Sequence, residues 1–164
     1  MGRGRKLLSG VPRPVEWLVG GWNFGGIYTW GTGFPFSVYI PLDQANIGTG
    51  SQRADVVGNW KVSSPSRIQW FNPAAFAMPA QYGFGNTGRN ILRSPNFSNL
   101  DFSIMKQFRF SESHHLEYRA EMFNTFNTAN FSYPSATINT SSIGTIFGTI
   151  APNRQIQMAL RYEF

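Results

Sequence analysis

His114 and His115 stand side by side with Glu112 and Glu117 close in sequence, residue types that would ligate a divalent metal if the chain brought them to one point. Neighbouring residues of an extended turn point opposite ways, so the pattern reads as a solvated turn and no metal site is expected. Asp101, Glu117 and Glu121 have the chemistry of general acids and bases, but no nucleophile or histidine shares a constellation with them. Gly85, Gly88 and Arg89 have the composition of a phosphate cradle, yet they precede a loop and not a helix. Gly85 to Arg93 is instead expected to be an ordered approach to a strand, with Asn86 and Asn90 making local backbone hydrogen bonds. The absence of cysteine removes disulfides, thiolate metal sites and cysteine nucleophiles. No enzyme and no cofactor are expected.

The formal charge of +6 raises the possibility of nucleic-acid binding, since cations interleaved with aromatics hold phosphates and stack bases. Their distribution argues against it. Arg3, Arg5, Lys6 and Arg13 crowd the start, the other cations are scattered, and no nucleic-acid-binding motif organises them. No nucleic-acid partner is expected.

The elements that carry the remaining charges are strands. Residues 154–164 alternate: Ile156, Met158, Leu160, Tyr162 and Phe164 fall on one face, and Gln155, Gln157, Ala159, Arg161 and Glu163 on the other. One apolar face, one polar face and rings at the end suit a transmembrane β-barrel, with lipid outside, a polar lumen inside and an aromatic girdle at the interface. A half-buried strand of a soluble sheet gives the same alternation. Composition adds that only 13% of the 164 residues are charged while 16% are aromatic, and that no window makes a convincing amphipathic helix.

Two further strands precede it. Leu100, Phe102, Ile104, Phe108 and Phe110 alternate with Asp101, Ser103, Met105, Gln107 and Arg109; Leu116, Tyr118, Ala120 and Met122 alternate with Glu117, Arg119 and Glu121. A polar turn at 111–115 makes them an antiparallel hairpin. Opposing Phe110 with Leu116 predicts an Arg109–Glu117 cross-strand pair; a slip to Phe110 opposite His114 would set Gln107 against Glu117. Asp101, Arg109, Glu117, Arg119, Glu121, Arg161 and Glu163 are then the lumen-facing charges. Lys106 breaks the apolar face, and its stem is expected to snorkel to the headgroups.

A fourth strand is expected at about Leu18 to Trp30, with Trp22, Phe24, Gly26, Tyr28 and Trp30 on one face. Phe34, Phe36, Val38 and Ile40 alternate again, extending that strand or lining a returning loop. Residues 41–97 then read as a long loop with short apolar pieces at Trp70-Phe71 and Phe76-Ala-Met78. Long connections at 41–97 and about 127–152 flank the short turn, the alternation that barrels show. No run approaches the roughly 20 apolar residues of a spanning helix. The basic start to Lys6 is followed by an apolar stretch, Leu7 to Pro12, too short for a signal peptide, so either a cytosolic protein or a piece of a longer polypeptide is expected.

Several stretches are similar to a known family: Gly85-Asn-Thr-Gly-Arg-Asn90-Ile-Leu-Arg-Ser-Pro95, Asn99-Leu-Asp-Phe-Ser103, Lys106-Gln-Phe-Arg-Phe110 and Tyr118-Arg-Ala-Glu-Met-Phe-Asn-Thr-Phe-Asn127. Together they resemble the C-terminal end of TonB-dependent outer-membrane receptors. They are most similar to the Oar-like branch, whose members carry a carboxypeptidase regulatory-like domain. Gly20-Gly-Trp22 and Thr32-Gly-Phe-Pro-Phe36 match as well, and the basic segment before them would be a periplasmic turn.

The resemblance implies an all-β fold, the last four or five antiparallel strands of a transmembrane β-barrel of about 22 strands, with long extracellular loops and a periplasmic C-terminus. Residues 1–164 would be one incomplete domain, lacking signal peptide, TonB box, plug and most of the barrel. Four strands alone would leave edge amides unpaired in hydrocarbon, so the isolated chain is expected to misfold or aggregate. The implied partners are outer-membrane lipid, the remaining strands and plug, TonB through the missing front part, and the barrel-assembly machinery. The strand carrying Ile156, Met158, Leu160, Tyr162 and Phe164 resembles the terminal signal that the machinery reads. The expected role is wall, lumen lining and surface loops of a receptor that takes up a ligand. The alternatives are a structural or adhesion barrel without transport, and a soluble β-rich binding module in which the Ile156, Leu160 and Phe164 face packs into a closed core.

Overall fold

The computed structural model describes residues 13–48 and 50–164. The basic start and the short apolar stretch after it, read above against a signal peptide, lie outside the described residues up to position 12. The described residues divide into two compact units: one of residues 13–30, 98–128 and 152–164, the other within 31–97 and 129–151.

The first unit is built on one four-stranded antiparallel sheet, β1 (Trp22–Gly31), β6 (Phe97–Arg109), β7 (His115–Phe123) and β8 (Gln155–Glu163), in the order β1-β6-β7-β8. Period-2 alternation forms these strands, because each puts its apolar side chains on one face. Both long connections leave from and return to the sheet end opposite the hairpin turn. A short helix, α1 (Arg13–Val19), precedes β1. The fourth strand thus starts at Trp22, not Leu18, and Leu18 and Val19 are helical. Gly21, with φ of +68°, turns the chain from helix to strand, and a Cβ there would meet the Gln107 carbonyl oxygen.

The expected hairpin register is corrected by two residues. Arg109 lies opposite His115, Gln107 opposite Glu117 and Phe102 opposite Met122. The turn sets this. The His114 carbonyl accepts the Phe110 and Ser111 amides at 3.0 and 3.2 Å, and Ser111 Oγ accepts the His114 amide at 3.1 Å, closing a tight loop that brings the strands together early. Because the slip is by two, every side chain keeps its face.

The second unit is the correction to the expected long loop. It carries two short ladders, β2 (Pro35–Phe36) with β5 (Leu92–Arg93) and β3 (Asp55–Val56) with β4 (Phe76–Ala77), and a 3-10 turn at Pro73–Ala75 capped by the Asn72 side chain. Phe36, Val38, Ile40, Ala54, Phe71, Ala75, Phe76, Leu92 and Ile138 form one buried cluster. Phe71 packs edge-on to Phe76 at 5.7 Å and tilts against Phe36 at 6.2 Å. The second long connection joins this core: Tyr39 donates its amide to Ala136 and accepts that of Ile138. Gly33 is obligatory, since a Cβ would lie 1.6 Å from the Ser94 carbonyl oxygen. Phe36, Val38 and Ile40 therefore extend no membrane strand; they are core of this unit.

Candidate functional site

The sheet has two chemically opposite faces, and these are what the first unit offers its surroundings. On the even-numbered face the register aligns Phe102 with Met122 and Ile156, Ile104 with Ala120 and Met158, Lys106 with Tyr118 and Leu160, and Phe108 with Leu116 and Tyr162. Trp22 and Phe24 of β1 stack on one another at 5.9 Å, and Phe24 stacks on Phe102 at 6.4 Å, carrying the apolar surface onto β1. At the hairpin end, His114 Nδ1 meets the Tyr162 hydroxyl at 2.8 Å, and Tyr162 stacks on Phe164.

Among the described residues no protein covers the part of this face that β8 presents. Ile156, Leu160 and Phe164 are 52%, 69% and 89% exposed, and the buried cluster lies in the other unit. The soluble-module reading expected those three side chains to pack into a closed core, and the described residues form no such core over them.

The odd-numbered face holds the charges. Asp101 and Arg109 project from β6, Glu117, Arg119 and Glu121 from β7, and Arg161 and Glu163 from β8. Glu163 contacts both His115 and Arg161 at 2.6 Å, while Arg119 pairs with Glu117 at 3.0 Å along the same strand. The expected Arg109–Glu117 pair is not made. In the observed register Glu117 instead accepts a 3.4 Å hydrogen bond from Gln107 Nε2. Among the described residues Asp101, Arg109 and Glu121 form no ion pair. Asp101 does backbone work: its Oδ1 accepts the Asn124 amide at 2.9 Å and the Asn99 side chain at 2.9 Å.

Asn124 is a connection that the sequence pattern did not expose. With φ of 51° it ends β7 in the left-handed region, and its side chain bonds the Thr128 amide and carbonyl and the Pro152 carbonyl. Asn127 follows with φ of 53°, its Oδ1 accepting the Arg154 amide at 3.0 Å. The two asparagines thus hold the end of β7 to the entry of β8. Asn is the residue type that tolerates such a backbone while bonding locally.

Lys106 corrects another expectation. Only 2% exposed, its ammonium does not snorkel outward: Nζ donates to the carbonyls of Gly20 and, at 3.3 Å, Leu18, and sits over the rings of Trp22 at 4.8 Å and Phe108 at 5.1 Å. The carbonyls at the C-terminal end of α1 offer partial negative charge, so a cation is favoured there.

His114 and His115 face opposite sides, the first on Tyr162 and the second on Glu163. Among the described residues no three acidic or histidine side chains gather as a metal site would need. An open recess of about 640 Å³ beside the turn is lined by Gln107, Arg109, Phe110, Ser111, Glu112 and His115. Asn86 and Asn90 also depart from expectation. Asn86 Oδ1 accepts the Val56 amide, and Asn90 accepts from and donates to Ser37 Oγ, so both tie distant segments together instead of bonding locally.

A sheet with one bare apolar face, one charged face, a tight hairpin at one end and long connections at the other defines the wall of a membrane β-barrel. The family model of the outer membrane beta barrel domain matches residues 1–157. The chain belongs to that family, an all-β domain of the outer membrane whose apolar strand face meets membrane lipid. No curated protein and no solved structure matches the chain.

Proposed function

We infer that the chain is the C-terminal barrel portion of a TonB-dependent receptor of the Oar-like branch, whose whole form takes up a ligand across the outer membrane. The observation that carries the barrel part of this reading is the bare apolar face over Ile156, Met158, Leu160, Tyr162 and Phe164, backed by a face of charged and hydrogen-bonded side chains. The receptor part is supported by the sequence stretches at 85–95, 99–103, 106–110 and 118–127. Two of their asparagines, Asn124 and Asn127, hold the β7–β8 connection.

On this reading Asp101, Arg109, Glu117, Arg119, Glu121, Arg161 and Glu163 line the lumen, and none of them catalyses a reaction. The outer edges of β1 and β8 have no strand partner among the described residues, so further strands of the receptor would pair them, since unpaired amides are costly in hydrocarbon. The hairpin turn and the C-terminus lie on the periplasmic side, and the second unit belongs to the extracellular loops. The strand ending at Phe164 serves assembly, presenting the edge that the barrel-assembly machinery engages by strand addition. TonB acts through a plug outside this chain.

An antibody to residues 139–164 tests this on native membranes, with boiled and unboiled samples compared. A large heat-modifiable outer-membrane band whose ligand uptake stops when TonB is deleted is the expected result. The same band with uptake-independent surface binding would identify a structural or adhesion barrel instead, and a soluble band near the chain's own 18.4 kDa would overturn the barrel reading.

A further inference from the structure

We propose that α1 is an interfacial membrane helix, lying in the boundary between headgroups and acyl chains of a phospholipid leaflet beside the hairpin end of the barrel wall. The inference rests on the lipid-facing reading of the even-numbered sheet face and adds a second lipid contact to it.

Three contacts fix the helix within its unit. Trp17 meets Phe110 edge-on at 5.5 Å, Trp22 Nε1 donates to the Leu18 carbonyl at 2.8 Å, and Lys106 Nζ donates to the Leu18 and Gly20 carbonyls. The polar end of the helix is therefore satisfied by protein. Its apolar side chains are not: Val15, Trp17, Leu18 and Val19 all remain exposed, Leu18 to 75%.

A seven-residue helix has too few turns to persist in water on its own, so its apolar surface needs a partner. Two observations identify that partner as lipid. First, Trp17 and Phe110 continue the ring surface of Trp22, Phe24 and Phe108, the same face that meets lipid on the strands. Second, the sequence before the helix is basic, with Arg3, Arg5 and Lys6, and Arg13 opens the helix itself, a charge that complements phosphate-bearing headgroups. Tryptophan beside a cation, as Trp22 lies beside Lys106, at the end of a spanning element is the chemistry of the membrane interface.

The sequence contains no cysteine, so single reporters can be introduced without background from this chain. Leu18→Cys, Val15→Cys and Leu160→Cys would each be labelled with a polarity-sensitive fluorophore in the protein extracted from outer membranes and reconstituted in phosphatidylcholine–phosphatidylglycerol vesicles. Heat-modifiable migration selects folded samples. Nitroxides placed near the headgroup or at the acyl terminus then report depth. At positions 18 and 15 the expected result is blue-shifted emission, quenched about twofold or more better by the shallow nitroxide than by the deep one, as an interfacial helix requires. Position 160 should be quenched by lipid in any case. Water-like emission at 18 and 15, or blue-shifted emission that neither nitroxide quenches, would overturn the inference while leaving the barrel wall intact. Loss of quenching at 160 would overturn the lipid-face reading itself.

Discussion

Asp101 Oδ1 accepts the backbone N–H of Asn124 at 2.9 Å, joining β6 to the residue that ends β7 in a left-handed conformation. A carboxylate on the charged face is thereby used to hold a chain reversal, and the Asn124 side chain passes the constraint on to Thr128 and Pro152.

Replacing Asn124 separates its two roles. Asn124→Gly keeps the backbone freedom and loses the side-chain hydrogen bonds, each worth about 0.5–1.5 kcal/mol net. Asn124→Ala loses the bonds and adds the left-handed penalty of about 1–2 kcal/mol. Equilibrium unfolding in detergent or lipid should therefore rank native above Gly above Ala. Equal stability of the two variants would remove the backbone part of this account.

Lys106 gives a prediction of sign. A lysine that reached the headgroups could become methionine at no cost, since the uncharged chain suits the lipid face. Here the ammonium serves the Gly20 and Leu18 carbonyls, so Lys106→Met leaves them short of a donor and should destabilise the barrel by about 1–3 kcal/mol. Tryptophan fluorescence should change with it, since Trp22 lies 4.8 Å from Nζ. A methionine variant as stable as the native protein would contradict the assignment.

What was legible in the sequence was the set of strand faces, because a period of two needs no knowledge of partners. Ile156, Leu160 and Phe164 share their face whatever lies beside them. Register was legible only in its parity. The hydrogen bonds of Ser111 and His114 select one of two even slips, and nothing in the alternation of Phe108, Phe110 and Leu116 decides between them. The folded core of the second unit was not legible for a different reason. Its ladders are two residues long, and pairs such as Phe36 with Leu92 join positions far apart in sequence, leaving no local period to read. Lys106 looked misplaced because its partner is the end of a helix too short to announce itself.

The second unit should respond to core truncation as a folded body. Phe71 is 1% exposed and packs against Phe36 and Phe76, so Phe71→Ala should cost that unit about 3–5 kcal/mol. Limited proteolysis should then cut within 41–97 at protease concentrations that spare the native protein. Unchanged resistance would mean that this cluster does not hold the segment together.

Asp43 should make one turn of that unit pH-sensitive. Slight desolvation raises its pKa, but the amides of Ile47 and Gly48, the Gln52 side chain and the Asn46 amide together hold it below the ordinary carboxylate value. A depressed folded-state pKa stabilises above the unfolded-state value, and that stability disappears as pH falls through the folded-state value. Amide exchange at Ile47 and Gly48, corrected for intrinsic rates, should accelerate on strong acidification, and Asp43→Asn should flatten the response. A native profile indistinguishable from that of the Asn variant would sink the prediction.

Depth across the even face supplies the sharpest test of the barrel wall. Met158 lies opposite Ala120 and Leu160 opposite Tyr118, both well inside the strand, whereas Tyr162 is level with Leu116 near the hairpin end. An arginine at a lipid-facing midplane position costs about 2–4 kcal/mol, and near an interface about 0–1. Met158→Arg and Leu160→Arg should therefore destabilise the refolded barrel well beyond Tyr162→Arg. Odd-face substitutions such as Gln157→Arg should cost less than either, because that side already carries Arg161 and Arg119. If all four arginines cost the same small amount, the even face does not meet hydrocarbon, and the exposure of Leu160 must be explained by contact with other protein or with water.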